Sequence, residues 1–344
     1  MELCLSKKTL PYKRKIFDHT AEHTEENDII VPDYLPDIGK VVEVESCVHV
    51  KDEIAEKDEV ILRCELVHTI LYLPEKSNCI RSIVTRGTFR HSFKARQLPA
   101  GVDVCGCAKV EQCDCRVTNS RKLRITCQIS VGAVVYEDAV LELPCGLSEE
   151  MEREAEIRHR GLEFFLPVEL GRKLFDLEEE LELPQGKQPV VELLQSKGSL
   201  LVKEVKSEKG KVSVRGCAVL QILFLTNSET GEVDHMEWEL PFFQTIDVRG
   251  AKEGQMVDVD LRMLGQNVKI YENDEGEGRI LRLEMAICAT ATVDEQGQEL
   301  VMQDGYAIGG KLDIKYQEMT LPQLDDQVET QLTLKEVLPL HERE

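Results

Sequence analysis

Residues 47–73, CVHVKDEIAEKDEVILRCELVHTILYL, lie over residues 199–225, SLLVKEVKSEKGKVSVRGCAVLQILFL, at a shift of 152 with no gap. Ten of the 27 positions are identical: Val50, Lys51, Glu56, Lys57, Val60, Arg63, Val67, Ile70, Leu71 and Leu73 each recur, Arg63 as Arg215. A pattern written twice at a fixed distance is the mark of a duplicated domain. Its local period is two. Both stretches alternate or run apolar and are rich in Val, Ile and Leu, as half-buried and buried strands are. The interruptions AEKDE and SEKGK predict hairpin turns.

Working outward, the match continues on both sides. At a shift of 153, Phe89 and Gly101 fall on Phe242 and Gly254; after a five-residue insertion RKLRITCQI (121–129) falls on RILRLEMAI (279–287), so Arg121 matches Arg279. Each Arg opens a strand after a turn, which points to a structural ion pair or backbone contact at that corner. KIFD precedes IIVPDYLPD in one copy and KLFD precedes LELPQGKQP in the other, with Pro32 and Pro184 152 residues apart. A residue before Pro is kept out of the helical region, so both approaches are extended. Between the copies, SEEMEREAEIRHRG (148–161) has a Ser cap, acidic first turn, basic last turn and terminal Gly. That predicts a short connecting helix.

The expected fold is therefore all-β, with tandem antiparallel sandwich- or barrel-like repeat domains and a helical linker. The expected organisation is an N-terminal lead-in over 1–26, domains at 27–146 and 173–314, a linker over 147–172 and a tail over 315–344. In that tail, LTLKEVLPL resembles the approach strand of a third repeat, with Pro339 155 residues beyond Pro184.

Composition narrows the partners. A formal net charge of −22 disfavours nucleic acid, whose phosphates need a clustered basic surface. An acidic solubilising surface or a basic protein partner fits better. No run of eighteen apolar residues predicts a membrane span, and the N-terminal stretch has no signal-peptide core, so synthesis in a cytosol is expected. Twelve cysteines are many for a cytosolic chain and too few for a disulfide scaffold.

Four of them crowd into CGCAKVEQCDC as Cys105, Cys107, Cys113 and Cys115. On an uninterrupted strand all four share one face. They are the candidates for a metal site, but the pairs stand eight residues apart, roughly 26 Å at the strand rise. The second copy puts Asp258, Asp260, Gln266 and Val268 at these places. The expectation is accordingly no structural metal and no cofactor; later intermolecular cross-linking is the role left to the four thiols. His49 and His68 read as core or surface histidines, since no constellation around either recurs in the second copy. ENDEGEG (272–278) reads as an enlarged hairpin turn rather than a calcium loop, and GYAIGG (305–310) lacks the strand-to-helix context of a phosphate loop.

IIVPDYLPDIGKVVEVESCVHV, LYLPE, FRHSFKARQLPAGVDV and NSRKLRI, in that order, resemble the SPOCS (spore coat) domain of SipL-like coat morphogenetic proteins of Clostridia. The likeness covers 27–136 well and 181–293 more weakly. It implies a non-enzymatic scaffold made in the mother-cell cytoplasm and placed in the endospore coat, with other coat proteins as partners and self-association as a homo-oligomer. SipL-like proteins end in a LysM module, which this sequence does not show; the acidic approach Pro32, Asp33, Pro36, Asp37 is found in the first copy alone. Two rivals fit the same repeats: a self-assembling spore filament or appendage subunit, and a metal- or carbohydrate-binding β-module.

Overall fold

A computed structural model describes residues 5–147, 155–308, 315, 316 and 318. The first repeat supplies β1 (Leu5–Ile30), β2 (Ile38–Glu56), β3 (Glu59–Pro74), β4 (Arg81–Lys94), β5 (Asp103–Asn119) and β6 (Lys122–Leu147). The second supplies β7 (Ala155–Glu182), β8 (Glu192–Glu208), β9 (Lys211–Asn227), β10 (Glu232–Asp247), β11 (Met256–Glu272) and β12 (Gly278–Ala307). Each repeat forms two three-stranded sheets in the same order: β2-β3-β4 and β1-β6-β5, then β8-β9-β10 and β7-β12-β11. The fold is all-β, built as tandem antiparallel sheets, as the period of two required.

The linker helix is not seen among the described residues. No helix occurs among the described residues; 155–161 open β7, and 148–154 lie outside the described residues. A Ser cap and well-placed end charges contribute about 1 kcal/mol each to a helix, and pairing of β7 along β12 outweighs them. The tail expected over 315–344 also falls outside the described residues, apart from 315, 316 and 318.

Two compact units result. The larger holds Thr9–Glu142 and Pro167–Asp294, the bodies of both repeats; the smaller holds the described residues within 1–8, 143–166 and 295–344. Within the smaller, Gly297 lies so close to Phe164 that a Cβ would come within 2.5 Å of the ring.

In the larger unit the inward faces of the sheets form the core. In the first repeat Leu62, Leu66 and Ile70 of β3 join Leu123, Ile125 and Ile129 of β6 in one apolar cluster. In the second, Leu220 and Phe224 of β9 pack with Leu281, Leu283 and Ile287 of β12. Each buried side chain of this size contributes roughly 1.5–3 kcal/mol.

The shared turn residues occupy equivalent corners. After Pro32 and Pro184 the chain turns, with Leu35 N–H donating to the Pro32 carbonyl and Lys187 N–H to that of Pro184, both at 2.9 Å. Arg121 reaches into the first corner and donates to the carbonyls of Val31 (3.0 Å), Pro32 (3.0 Å) and Leu35 (2.9 Å) and to Asp37 (3.0 Å). Arg279 does the same for Pro184 (2.9 Å) and Lys187 (3.1 Å). Gly101 and Gly254 both have φ of 78°, a backbone that a side chain disfavours. Arg63 and Arg215 stay near the surface, paired with Asp52 at 3.6 Å and Glu204 at 3.5 Å.

Irregularities repeat too. One extra residue bulges from the ladder at Val42 and Leu194, at Lys51 and Lys203, and at Glu111 and Leu264. Each pair is a β-bulge in the same place in both repeats, and each reverses which face the following residues address.

Candidate functional site

The bulge at Glu111 divides the cysteine-rich strand. Before it, Cys105 and Cys107 stand opposite Val134 and Gly132, on the outer face of the sheet; after it, Cys113 and Cys115 stand opposite Cys127 and Ile125, on the inner face. The expectation that all four share a face is therefore corrected. The extra residue shifts the alternation by one, and the four thiols do not converge. Cys107 is exposed; Cys105, Cys113 and Cys115 are half-buried.

What converges is a different set. Cys113 of β5 and Cys127 of β6 are direct cross-strand partners, and the Cys127 thiol lies 3.1 Å from Cys113 Sγ. Ser46 Oγ of β2 stands 3.1 Å from Cys113 Sγ and 2.7 Å from His68 Nδ1 of β3. Asn27 of β1 places its amide 3.4 Å from His68 Nε2. His68 is 1% exposed and Cys127 0%, so the cluster sits between the two sheets, with Cys113 on its more open side. The donated thiol of Cys127, with the Ser46 hydroxyl, holds the Cys113 thiol below its usual range. Sharing that proton pushes Cys127 up, and burial lowers His68. A thiolate at Cys113 that accepts from Ser46 O–H, while Ser46 accepts from His68 Nδ1–H, satisfies every member.

A second candidate, the pair Cys47 and His49, lines a cleft of about 520 Å³ between the repeats. It is not an activated nucleophile. His49 Nδ1–H donates to the Met263 carbonyl at 2.9 Å, and burial pushes the Cys47 thiol up to about 11.

The contact between the repeats uses the bulges. Met263 and Leu264 turn carbonyls out of the β11 ladder; His49 binds the first, and Lys51, itself a bulge residue, binds the second at 2.6 Å. Nearby, the Glu53 side chain, 7% exposed, takes Arg172 at 2.5 Å, Arg262 at 2.6 Å and the Gly106 N–H at 2.6 Å. Leu71, Leu194 and Leu225 add an apolar patch.

Comparison with known proteins gives one match of weight: the family model described as SipL, SPOCS domain matches residues 37–118 and 189–270. Each repeat thus carries one stretch similar to the SPOCS domain. No curated protein and no solved structure matches. Both matched stretches cover the corresponding run of strands, from the first sheet to the bulged strand, β2 to β5 and β8 to β11.

Within this pair the thiol–imidazole cluster belongs to the first repeat alone. At the shifts set by the sequence repeat, the second has Gly198 for Ser46, Leu220 for His68, Gln266 for Cys113 and Met285 for Cys127. Gln266 fills the space over Gly198, where a Cβ would come within 2.0 Å of its Oε1 and 2.9 Å of Met285 Cε. The cluster was not legible in the sequence. His68 is 45 residues from Cys113, and the bulge that turns Cys113 inward leaves no mark in the alternation. The one available signal was the coincidence of four polar or thiol residues in one copy with unlike residues in the other.

Proposed function

We propose that the chain is a non-enzymatic scaffold of the endospore coat, whose tandem SPOCS domains make repeated protein–protein contacts as the layer grows. The observation that carries this is the match of both repeats to a spore-coat domain family. Two joined modules raise the effective concentration for a second contact once the first has formed. The edge strands β4 and β10 offer unpaired backbone, β4 guarded by Arg81, Arg86, Arg90 and Lys94 and β10 by Pro241. Partners on this reading are other coat proteins and further copies of the chain. Among the described residues no helix is long and apolar enough to cross a membrane.

Cross-linking after the mother cell lyses fits Cys107 best among Cys105, Cys107, Cys113 and Cys115, because it alone of the four is exposed. The test is a fluorescent fusion followed through sporulation, with coat extracts run with and without reductant. A ring around the forespore and a reductant-sensitive band that Cys107→Ser removes are the expected results. Diffuse fluorescence and absence from coat extracts overturn the scaffold role. Ordered fibres formed by the purified protein alone would favour a filament subunit instead.

A further inference from the structure

His68, Cys113 and Cys127 offer one imidazole nitrogen and two sulfurs, all within 4.8 Å of one another. They come from three strands and both sheets, so the fold rather than a local motif brings them together. We propose that these three side chains bind one thiophilic divalent cation, of which Zn2+ is the type, inside the first repeat. This goes beyond the scaffold reading and stands apart from it.

The donor set suits the ion. Two thiolates and a neutral imidazole are what a borderline-soft d10 ion selects over oxygen ligands. Around a tetrahedral Zn2+, with Zn–S about 2.3 Å and Zn–N about 2.0 Å, the two sulfurs stand about 3.8 Å apart and each about 3.5 Å from the nitrogen. The sulfurs here are 3.1 Å apart, so a widening of some tenths of an ångström, within reach of side-chain rotation, admits the ion. Cross-strand neighbours point both thiols to one face, which fixes their common direction before any metal arrives.

The surroundings supply what ligands need. Asn27 faces His68 Nε2 with its amide nitrogen, at 3.4 Å; a flip of that amide on metal binding would let its oxygen accept from Nε2–H and leave Nδ1 to the metal, the kind of outer partner that sets the tautomer of a ligating imidazole. Ser46 Oγ, within hydrogen-bond distance of both His68 and Cys113, is the neighbouring group available to complete the coordination, as ligand or as anchor for a water. Binding expels the proton shared by the two thiols. The second repeat makes the converse point. With Leu220, Gln266 and Met285 in these places its core closes over the same space, so the ligands are not needed to build the domain.

The experiment is a Co2+ titration of the full chain, purified under reductant and stripped with chelator. A thiolate-to-Co2+ charge-transfer absorption that saturates at one equivalent and is displaced by Zn2+ is expected. Cys113→Ser and Cys127→Ala should weaken binding at least tenfold, whereas Cys47→Ser, Cys105→Ser and Cys107→Ser should not. A variant carrying the second repeat's residues, Ser46→Gly with His68→Leu, Cys113→Gln and Cys127→Met, should fold without metal and bind none. Zn2+ should raise the Tm of the unaltered chain and leave that of this variant unchanged. Absence of the charge-transfer band in the unaltered chain overturns the proposal, as does its survival in Cys113→Ser or in the fourfold variant.

Discussion

Arg121 satisfies three carbonyls at a turn that has no regular ladder to do so, and its planar fork is suited to several acceptors at once. Arg121→Ala strips those donors and should lower stability by about 2 kcal/mol, with Arg121→Lys recovering only part, read from urea melts. Arg279 is the more enclosed of the two, 13% exposed against 34%, so Arg279→Ala should cost at least as much. A second residue works against the fold. Burial, and then Asp258 diagonally across the β11–β12 ladder, pushes the Asp294 carboxyl up to about 6. A native acid that holds its proton more tightly than the unfolded one makes stability fall as pH rises between the two values, from about 4 to about 6. Asp294→Asn should therefore match the parent near pH 4 and exceed it at pH 7 by on the order of 1 kcal/mol, after allowance for solvent screening. Thermal melts at the two pH values check this; an equal offset at both would show that the cause is not ionisation.

At the scale of strands, the bulges set what the thiols can do. Native-state labelling with a maleimide should modify Cys107 fast, and Cys64 and Cys127, both buried, only at the rate of opening. Deleting Glu111 removes the extra residue, so 103–110 and 112–119 then demand opposite registers on β6. That deletion should give early labelling of Cys113 and Cys115 or a Tm lower by ten degrees or more; parental labelling and melting would mean the bulge is dispensable. The strands themselves were readable, because alternation around Val60–Leu73 and its copy is a local property and a duplicated one. The bulges were not, since a bulge depends on the partner strand and costs the sequence no recognisable residue: Glu111 in one repeat is Leu264 in the other. The linker misled for the opposite reason. Its capping residues are genuine local signals, overridden at 155–161 by a neighbour more than a hundred residues away.

For the molecule as a whole, Glu53 is the point where one repeat depends on the other. Its carboxylate faces two guanidinium groups of the second repeat almost out of water, and removing one partner of such a group strands the rest. Glu53→Gln keeps the shape and the bond from Gly106, yet should cost about 3 kcal/mol and split a single denaturant transition into two. One unbroken transition at unchanged midpoint would show that the repeats cohere without it. The shared bulges also carry a date. Three of them stand at matching places although two of the three, Val42 with Leu194 and Glu111 with Leu264, have changed residue, so they were already part of the single ancestral domain when its gene doubled. The His68, Cys113 and Cys127 cluster is present in one descendant and absent from the other, and its history began, or in the second repeat ended, after that event.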